Sequence, residues 1–326
     1  MSSHISNRDF ISVTVFIFGF LASFATAQLL KAQYLDPLPG PNRCKLPYYE
    51  GEDHIYLFDG CHTVEGNKIL RLTISTGALE FVANLTGQAA MINIIGDGFG
   101  NMYHFTTQEV YKFDPVTKIS TFLVRLPAYI IEGVALNDHD GDGNSIYVTD
   151  GDRQLYWLDV VTGESAVVTT FPQEIYDAAA SRVGNKVYIF DSGQSVLNRK
   201  SLELDLETFR VMQVGPPTLP IFHTRPSSAY DGNKFIYILG GYRPSYGTDP
   251  VYTTGIFQFD TVTFENRYIP VEHLPLGDAN FFMSAPATVF VPRLNRIYCF
   301  GGYVWIDWGI PPLDTVFFID LTPLDA

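Results

Sequence analysis

Basic residues are scarce in this chain: 21 Lys and Arg stand against 35 Asp and Glu in 326 residues, a net charge of −14. No nucleic-acid partner is expected, because backbone phosphates need a positive surface. Charge of either sign is thin, at 17% of residues, while hydrophobic residues make up 46%. That balance excludes an intrinsically disordered chain. Three cysteines cannot staple a chain this long, so a disulfide scaffold is excluded as well. There is no HExxH pair, no Gly-x-Ser-x-Gly elbow and no glycine-rich phosphate loop between a strand and a helix. What is abundant is Phe (25), Tyr (19), Gly (27) and Pro (20). Those residues suit short strands joined by tight turns.

The N-terminus reads as an address. Residues 1–9 are polar with Arg8, residues 10–24 are a predominantly apolar run of 15, and Ala25-Thr26-Ala27 supplies small residues before Gln28. This is the layout of a secretory signal, and the run falls short of the roughly 20 apolar residues a membrane span needs. The expectation is a signal peptide over 1–27 and a secreted, extracellular domain over 28–326 with no membrane span. Secretion permits disulfides. Cys44 and Cys61 lie close enough in sequence to close a small loop or to stay free, and Cys299, inside the apolar run Arg296-Ile-Tyr-Cys-Phe300, reads as a buried thiol. Asn84-Leu85-Thr86 is an N-glycosylation acceptor pattern at Asn84.

A repeat runs through the rest. An apolar residue, a Tyr and further apolar residues recur at Tyr56, Tyr103, Tyr147, Tyr188, Tyr237 and Tyr298, with spacings of 47, 44, 41, 49 and 61. Turn residues precede each copy, as in Gly98-Phe99-Gly100-Asn101 and Asp231-Gly232-Asn233. After most copies comes an apolar residue, Asp, and Thr three positions on: Asp114 with Thr117, Asp159 with Thr162, Asp205 with Thr208, and Asp260 with Thr263. Asp320 has Thr322 one position early, and Thr73 stands where the first unit would have Asp. An Asp at a turn start accepts backbone N–H groups two or three residues on, so these carboxylates are expected to be structural rather than catalytic. Each unit reads as four short strands, and 28–326 holds six units of about 50 residues.

The chain resembles the kelch-repeat β-propeller family. Gly240-Gly241 and Gly301-Gly302 match its glycine pair in units five and six; units one to four depart from it, and the family's Trp is missing throughout. The resemblance implies an all-β, six-bladed propeller of four-stranded antiparallel blades. Unit six runs out after its third strand, so residues 29–36 are expected to supply its outer strand and close the ring. Unit three, Glu132 to Thr162, also resembles blades of lactonase and yellow-type propellers.

In kelch propellers the loops after the second strand and between blades share the binding face. Here that face would carry Tyr242, Arg243, Tyr246, Trp305 and Trp308, with His223, Arg225, His273 and Asp278 beside them. Aromatic rings with a few charged groups suit stacking on sugar rings or gripping a peptide. Asp138, Asp140 and Asp142 match the first half of a calcium loop, with Thr149 where the bidentate Glu would stand. The copper-oxidase relatives use a Tyr–Cys crosslink, for which Cys299 is placed in a strand, so no copper is expected. The expectation is a secreted, non-catalytic module for an extracellular protein or glycan, needing no cofactor unless calcium occupies the acidic loop. The alternatives are a calcium-dependent, lactonase-like hydrolase with a metal in the central channel, and a structural extracellular component.

Overall fold

A computed structural model describes residues 29–40, 45–60, 67–87, 89–130, 132–137, 144–175, 178–190, 201–215, 226–240, 255–275, 283–284, 287–304 and 313–324. Among these the fold is all-β, with two single-turn 3-10 helices at Pro292–Leu294 and Thr322–Leu324. Four-stranded antiparallel sheets follow one another along the chain. Unit one is Lys45–Tyr49, His54–Asp59, Lys68–Thr73 and Ala78–Asn84. Unit two is Ile95–Gly96, Met102–Phe105, Glu109–Asp114 and Ile119–Arg125. Unit three is Ala135–Asn137, Ser145–Thr149, Gln154–Asp159 and Ser165–Thr170, and unit four is Ala179–Val183, Lys186–Phe190, Leu202–Asp205 and Val211–Gln213. Their arrangement is propeller-like, with the first strands of neighbouring units side by side: Ser227–Tyr230 lies between Ala179–Val183 and Ala287–Val291.

Six separate sheets are not what the structure contains. Four sheets stand alone, and the strands of units five and six form one eight-stranded sheet. Its order is Ser227–Tyr230, Phe235–Leu239, Gly255–Asp260, Asn266–Glu272, Leu30–Tyr34, Val316–Asp320, Arg296–Phe300, Ala287–Val291. The N-terminal strand Leu30–Tyr34 is the cause. It pairs antiparallel with Val316–Asp320 (Ala32 opposite Ile319), as expected of a donated outer strand. It also pairs parallel with Asn266–Glu272, Leu30 opposite Val271 and Lys31 opposite Glu272. A Lys31–Glu272 ion pair at 3.0 Å and a 2.7 Å hydrogen bond from the Tyr34 hydroxyl to the His273 carbonyl hold the second contact. One strand thus protects two edges that would otherwise be open to solvent.

The repeat explains the packing. All six signature tyrosines lie in second strands and are buried, with 2–6% of their surface exposed. Five share a hydrophobic cluster with the apolar residue just before the Asp that ends the next unit's third strand: Tyr56 with Phe113, Tyr103 with Leu158, Tyr147 with Leu204, Tyr188 with Phe259, and Tyr237 with Ile319. Tyr298 shares its cluster with Leu72, joining unit six to unit one. Burying a large apolar side chain contributes about 1.5–3 kcal/mol, so these seams carry much of the stability. Fourth strands face outward: Ile119–Arg125 and Ser165–Thr170 contain no buried residue.

The Asp turns form as the sequence suggests. Asp114 Oδ1 accepts the Val116 and Thr117 N–H groups, and Asp159 Oδ1 accepts those of Val161 and Thr162. Asp205 and Asp260 repeat the pattern, and Asp320 accepts the Thr322 N–H. The Thr117 hydroxyl, donating to Asp114, and these backbone bonds, with the Thr208 hydroxyl at Asp205, stabilise the charged form and hold the carboxyls of Asp114, Asp159 and Asp205 below their ordinary range. In unit one, where Thr73 replaces Asp, Asp53 reaches over from the preceding turn and accepts the Ser75 N–H at 3.0 Å. Asp53 also binds the Arg293 guanidinium at 2.6 Å, and Arg293 Nε donates to the Glu52 carbonyl, tying unit six to unit one. The fifth turn residue is left-handed: Gly77 and Gly163 in two units, but Lys118, Phe209 and Phe264 in three others, with φ of 61°, 54° and 60°.

Candidate functional site

The direction of the strands decides where the long loops emerge. Leu30–Tyr34 is parallel to Asn266–Glu272 and antiparallel to Val316–Asp320. The second strands of units five and six, Phe235–Leu239 and Arg296–Phe300, therefore run in the same direction within the double sheet. The loops that follow them leave from the same end. The first runs from Gly240 to Gly255, closed at its base by the pairing of Leu239 with Ile256. A Cβ at Gly255 would lie 2.2 Å from the Ile269 carbonyl oxygen, so only glycine fits this strand start. The second loop is pinched by two backbone bonds, Gly301 N–H to Thr315 O at 2.8 Å and Leu313 N–H to Gly302 O at 2.9 Å. Tyr303–Val304 then pairs antiparallel with Met283–Ser284, the connection that enters unit six.

The same end carries buried polar groups in other units. Lys45, first residue of unit one, pairs with Asp59, last residue of its second strand, in a short, buried ion pair. Asp59 Oδ2 also accepts the Lys68 N–H at 3.1 Å. Burial pulls the Lys45 ammonium below its ordinary range, against the opposing pull of Asp59. Between units two and three, Met91–Ile92 pairs parallel with Glu132–Gly133. Asn93 donates to the Ala135 carbonyl at 2.9 Å and accepts the Ala135 N–H at 2.8 Å, and Thr149 Oγ1 accepts the Val134 N–H at 2.8 Å. Glu132 is 7% exposed. These bonds replace ladder hydrogen bonds where strands from adjacent units diverge.

The first strands of units four to six present hydroxyl groups to one another. Ser181 and Ser228 lie 2.9 Å apart across units four and five, and Ser227 pairs closely with Thr288 across units five and six. Among the described residues no group of three His, Cys, Asp or Glu side chains is placed to hold a metal ion. His104 is the buried titratable group nearest to chemical interest. It is fully buried, stacks on Tyr111 at 5.2 Å and lies 5.9 Å from Phe58 of unit one. Its Nε2 contacts Ser120 Oγ at 3.1 Å and its Nδ1 has no hydrogen-bond partner. Burial lowers its pKa to about 4, so it is neutral and sealed from solvent.

The expected site residues Tyr242, Arg243, Tyr246, Trp305, Trp308, His223, Arg225 and Asp278 lie outside the described residues. So do Asp138, Asp140 and Asp142 of the acidic loop, and Cys44 and Cys61. Asn84 is exposed at the end of unit one's outer strand. Cys299 is buried and free, its thiol pushed up by burial. His273, expected among the binding residues, is a left-handed residue whose carbonyl anchors Tyr34. Sequence reasoning missed the Lys45–Asp59 pair. Its signal was the turn at Glu50–Asp53, since a hairpin about that turn sets Lys45 opposite Asp59.

No family model matches the chain, and no curated protein matches it. Its fold is widely shared, with 1177 solved chains matching. One is the structure of YjhT, aligned with a TM-score of 0.65 at 16% identity over 87% of this chain and 96% of that one. At that identity the likeness extends to the fold alone. The chain is thus a β-propeller protein by architecture.

Proposed function

We propose that the protein is a secreted, non-catalytic, kelch-like module that binds an extracellular protein or glycan. Counting the double sheet as two blades joined by the N-terminal strand gives a six-bladed ring. The observation that supports the reading is the common direction of Phe235–Leu239 and Arg296–Phe300 within one sheet, the strands that Tyr242, Arg243 and Tyr246 and Trp305 and Trp308 follow in sequence. Aromatic side chains lose little entropy on binding a sugar ring or a peptide. In sequence His223 and Arg225 fall between units four and five.

A secretory leader at 1–27, glycosylation at the exposed Asn84, and a Cys44–Cys61 disulfide complete the proposal. The pairing of Lys45 with Asp59 supports the disulfide, since it brings the two flanking stretches to one end of a hairpin. In units four to six the described first strands bring together the hydroxyls of Ser181 and Ser228 and of Ser227 and Thr288, where the lactonase-like alternative needs carboxylates. Calcium at Asp138, Asp140 and Asp142 would show as a rise in Tm on calcium titration.

The test is a glycan array and an extracellular-protein interaction screen on the mature protein, repeated with Trp305→Ala/Trp308→Ala and Tyr242→Ala/Tyr246→Ala. The expected result is loss of the wild-type hits, about tenfold or more in affinity, at unchanged Tm. Hits that survive both double variants would overturn the assignment of this face.

A further inference from the structure

The opposite end of the propeller is built from the Asp turns, and the fold dictates only part of their composition. The turn requires an acceptor at its first position and a left-handed residue at its fifth. The third position is not so constrained. It is Ser75 in unit one and Glu207 in unit four, yet Val116, Val161 and Val262 in units two, three and five. The three valines are 87%, 72% and 70% exposed. A polar residue occupies the same place elsewhere in the molecule, so packing does not explain the apolar choice.

Units two and three concentrate the effect. Phe99, 74% exposed, sits on the turn that Asp97 organises, and the Lys112–Asp97 ion pair at 3.0 Å ties that turn to the strand leading into Val116. Ile119, 59% exposed, closes the Val116 turn by pairing with Asp114. The Val161 turn is carried against unit two, because a Cβ at Gly163 would sit 3.1 Å from the Val124 side chain. Single exposed apolar residues are ordinary, but several gathered on the turns of two adjacent units mark a contact surface. Around them Asp97, Asp114, Asp159 and Glu164 outnumber Lys112 and Lys118, and the turns hold Asp114 and Asp159 ionised, in a chain of net charge −14.

We propose that the turn end of units two and three is a second docking surface, fitted to a protein segment that presents Lys or Arg beside apolar side chains. Charge complementarity selects this occupant. A second copy of the chain would bring like charge against like, and an anionic lipid surface would be repelled for the same reason. The apolar tips supply contact area, and the surrounding carboxylates supply steering and sign.

The test uses the full mature protein and a short synthetic peptide of alternating Lys and Leu, followed by fluorescence anisotropy. The expected result is binding that weakens with added salt and falls about tenfold in Val116→Ser/Val161→Ser, the loss of roughly 1.4 kcal/mol. The double variant should keep the wild-type Tm, since Ser75 already fills this position in unit one; Val→Thr at both sites serves if it does not. Trp305→Ala/Trp308→Ala should leave peptide binding intact, which separates this surface from the loop face. Equal binding by the valine variants, equal binding of a Glu–Leu peptide, or valine-dependent capture by phosphatidylcholine vesicles would each overturn the proposal.

Discussion

Units one to four each stand as a sheet of their own, whereas units five and six share one. The difference lies in a single strand, Leu30–Tyr34, whose two edges serve two neighbours. The four separate sheets meet mainly through side chains, with one short backbone pairing, Met91–Ile92 with Glu132–Gly133, between the segments that enter units two and three. Units five and six meet through side chains and through a backbone ladder, and the longest loops of the second-to-third-strand type leave from that fused sheet. One strand therefore serves as edge partner to two units, and the longest of these loops leave from the sheet it makes.

Removing the clasp should have the largest effect. Deleting residues 28–34 opens two strand edges and the cluster containing Leu30, Ile256, Val271 and Ile319, and the expected outcome is a protein that aggregates or melts far below the wild type in calorimetry. Leu30→Ala isolates the packing part and should cost about 2–5 kcal/mol, because Leu30 is fully buried. If the deletion melts no lower than this point variant, the backbone ladder adds nothing and the comparison fails.

The separate sheets have weak points of their own. Asp59→Asn leaves a buried Lys45 charge uncompensated and should cost about 3–5 kcal/mol, while Lys45→Met/Asp59→Leu should recover most of it. Urea denaturation of the three variants measures both. A double variant no more stable than Asp59→Asn would show that the pair does more than satisfy itself.

Acid should open the seam between units one and two before the double sheet. His104 has a folded pKa of about 4 against about 6.5 when unfolded, so folding excludes its proton. Its contribution is complete above pH 6.5 and is lost as pH falls towards 4, to a limit of about 3 kcal/mol. His104→Leu should flatten the Tm profile over that window. The cluster inside the double sheet contains no histidine among its described residues, so hydrogen exchange there should lag behind that of Met102–Phe105. Simultaneous loss of protection in both places would contradict this order.

The smallest effects belong to the turns. Lys118→Gly relieves a left-handed backbone at an exposed position and should stabilise by about 1 kcal/mol. Phe264→Gly relieves the same strain but removes a ring packed 6.2 Å from Phe259 and 6.5 Å from Tyr188, so it should destabilise. Opposite signs in thermal melts are the expected result.

Much of the fold was legible in the sequence. The Tyr and Asp signatures marked second and third strands because a strand position that packs against the next unit, and a turn that needs an acceptor, are both local demands met by one residue type. Residues 29–36 were legible as an outer strand because unit six lacked one. The second use of that strand was not, since parallel pairing with Asn266–Glu272 depends on how two units lie beside each other. Asp53 was equally hidden: nothing at Thr73 says that a carboxylate from the preceding turn will take over. Of the candidate site, the sequence marked the aromatic loops, and the strand directions added that both leave from one end.

What the sequence determined by itself is the repeating unit, because hydrophobic alternation and turn chemistry act over a few residues. Tertiary structure alone decided that two units fuse, that a lysine and an aspartate fourteen residues apart share a buried pair, and that a histidine is sealed between sheets. Those outcomes rest on desolvation and edge pairing between segments far apart in the chain, and no local pattern encodes them.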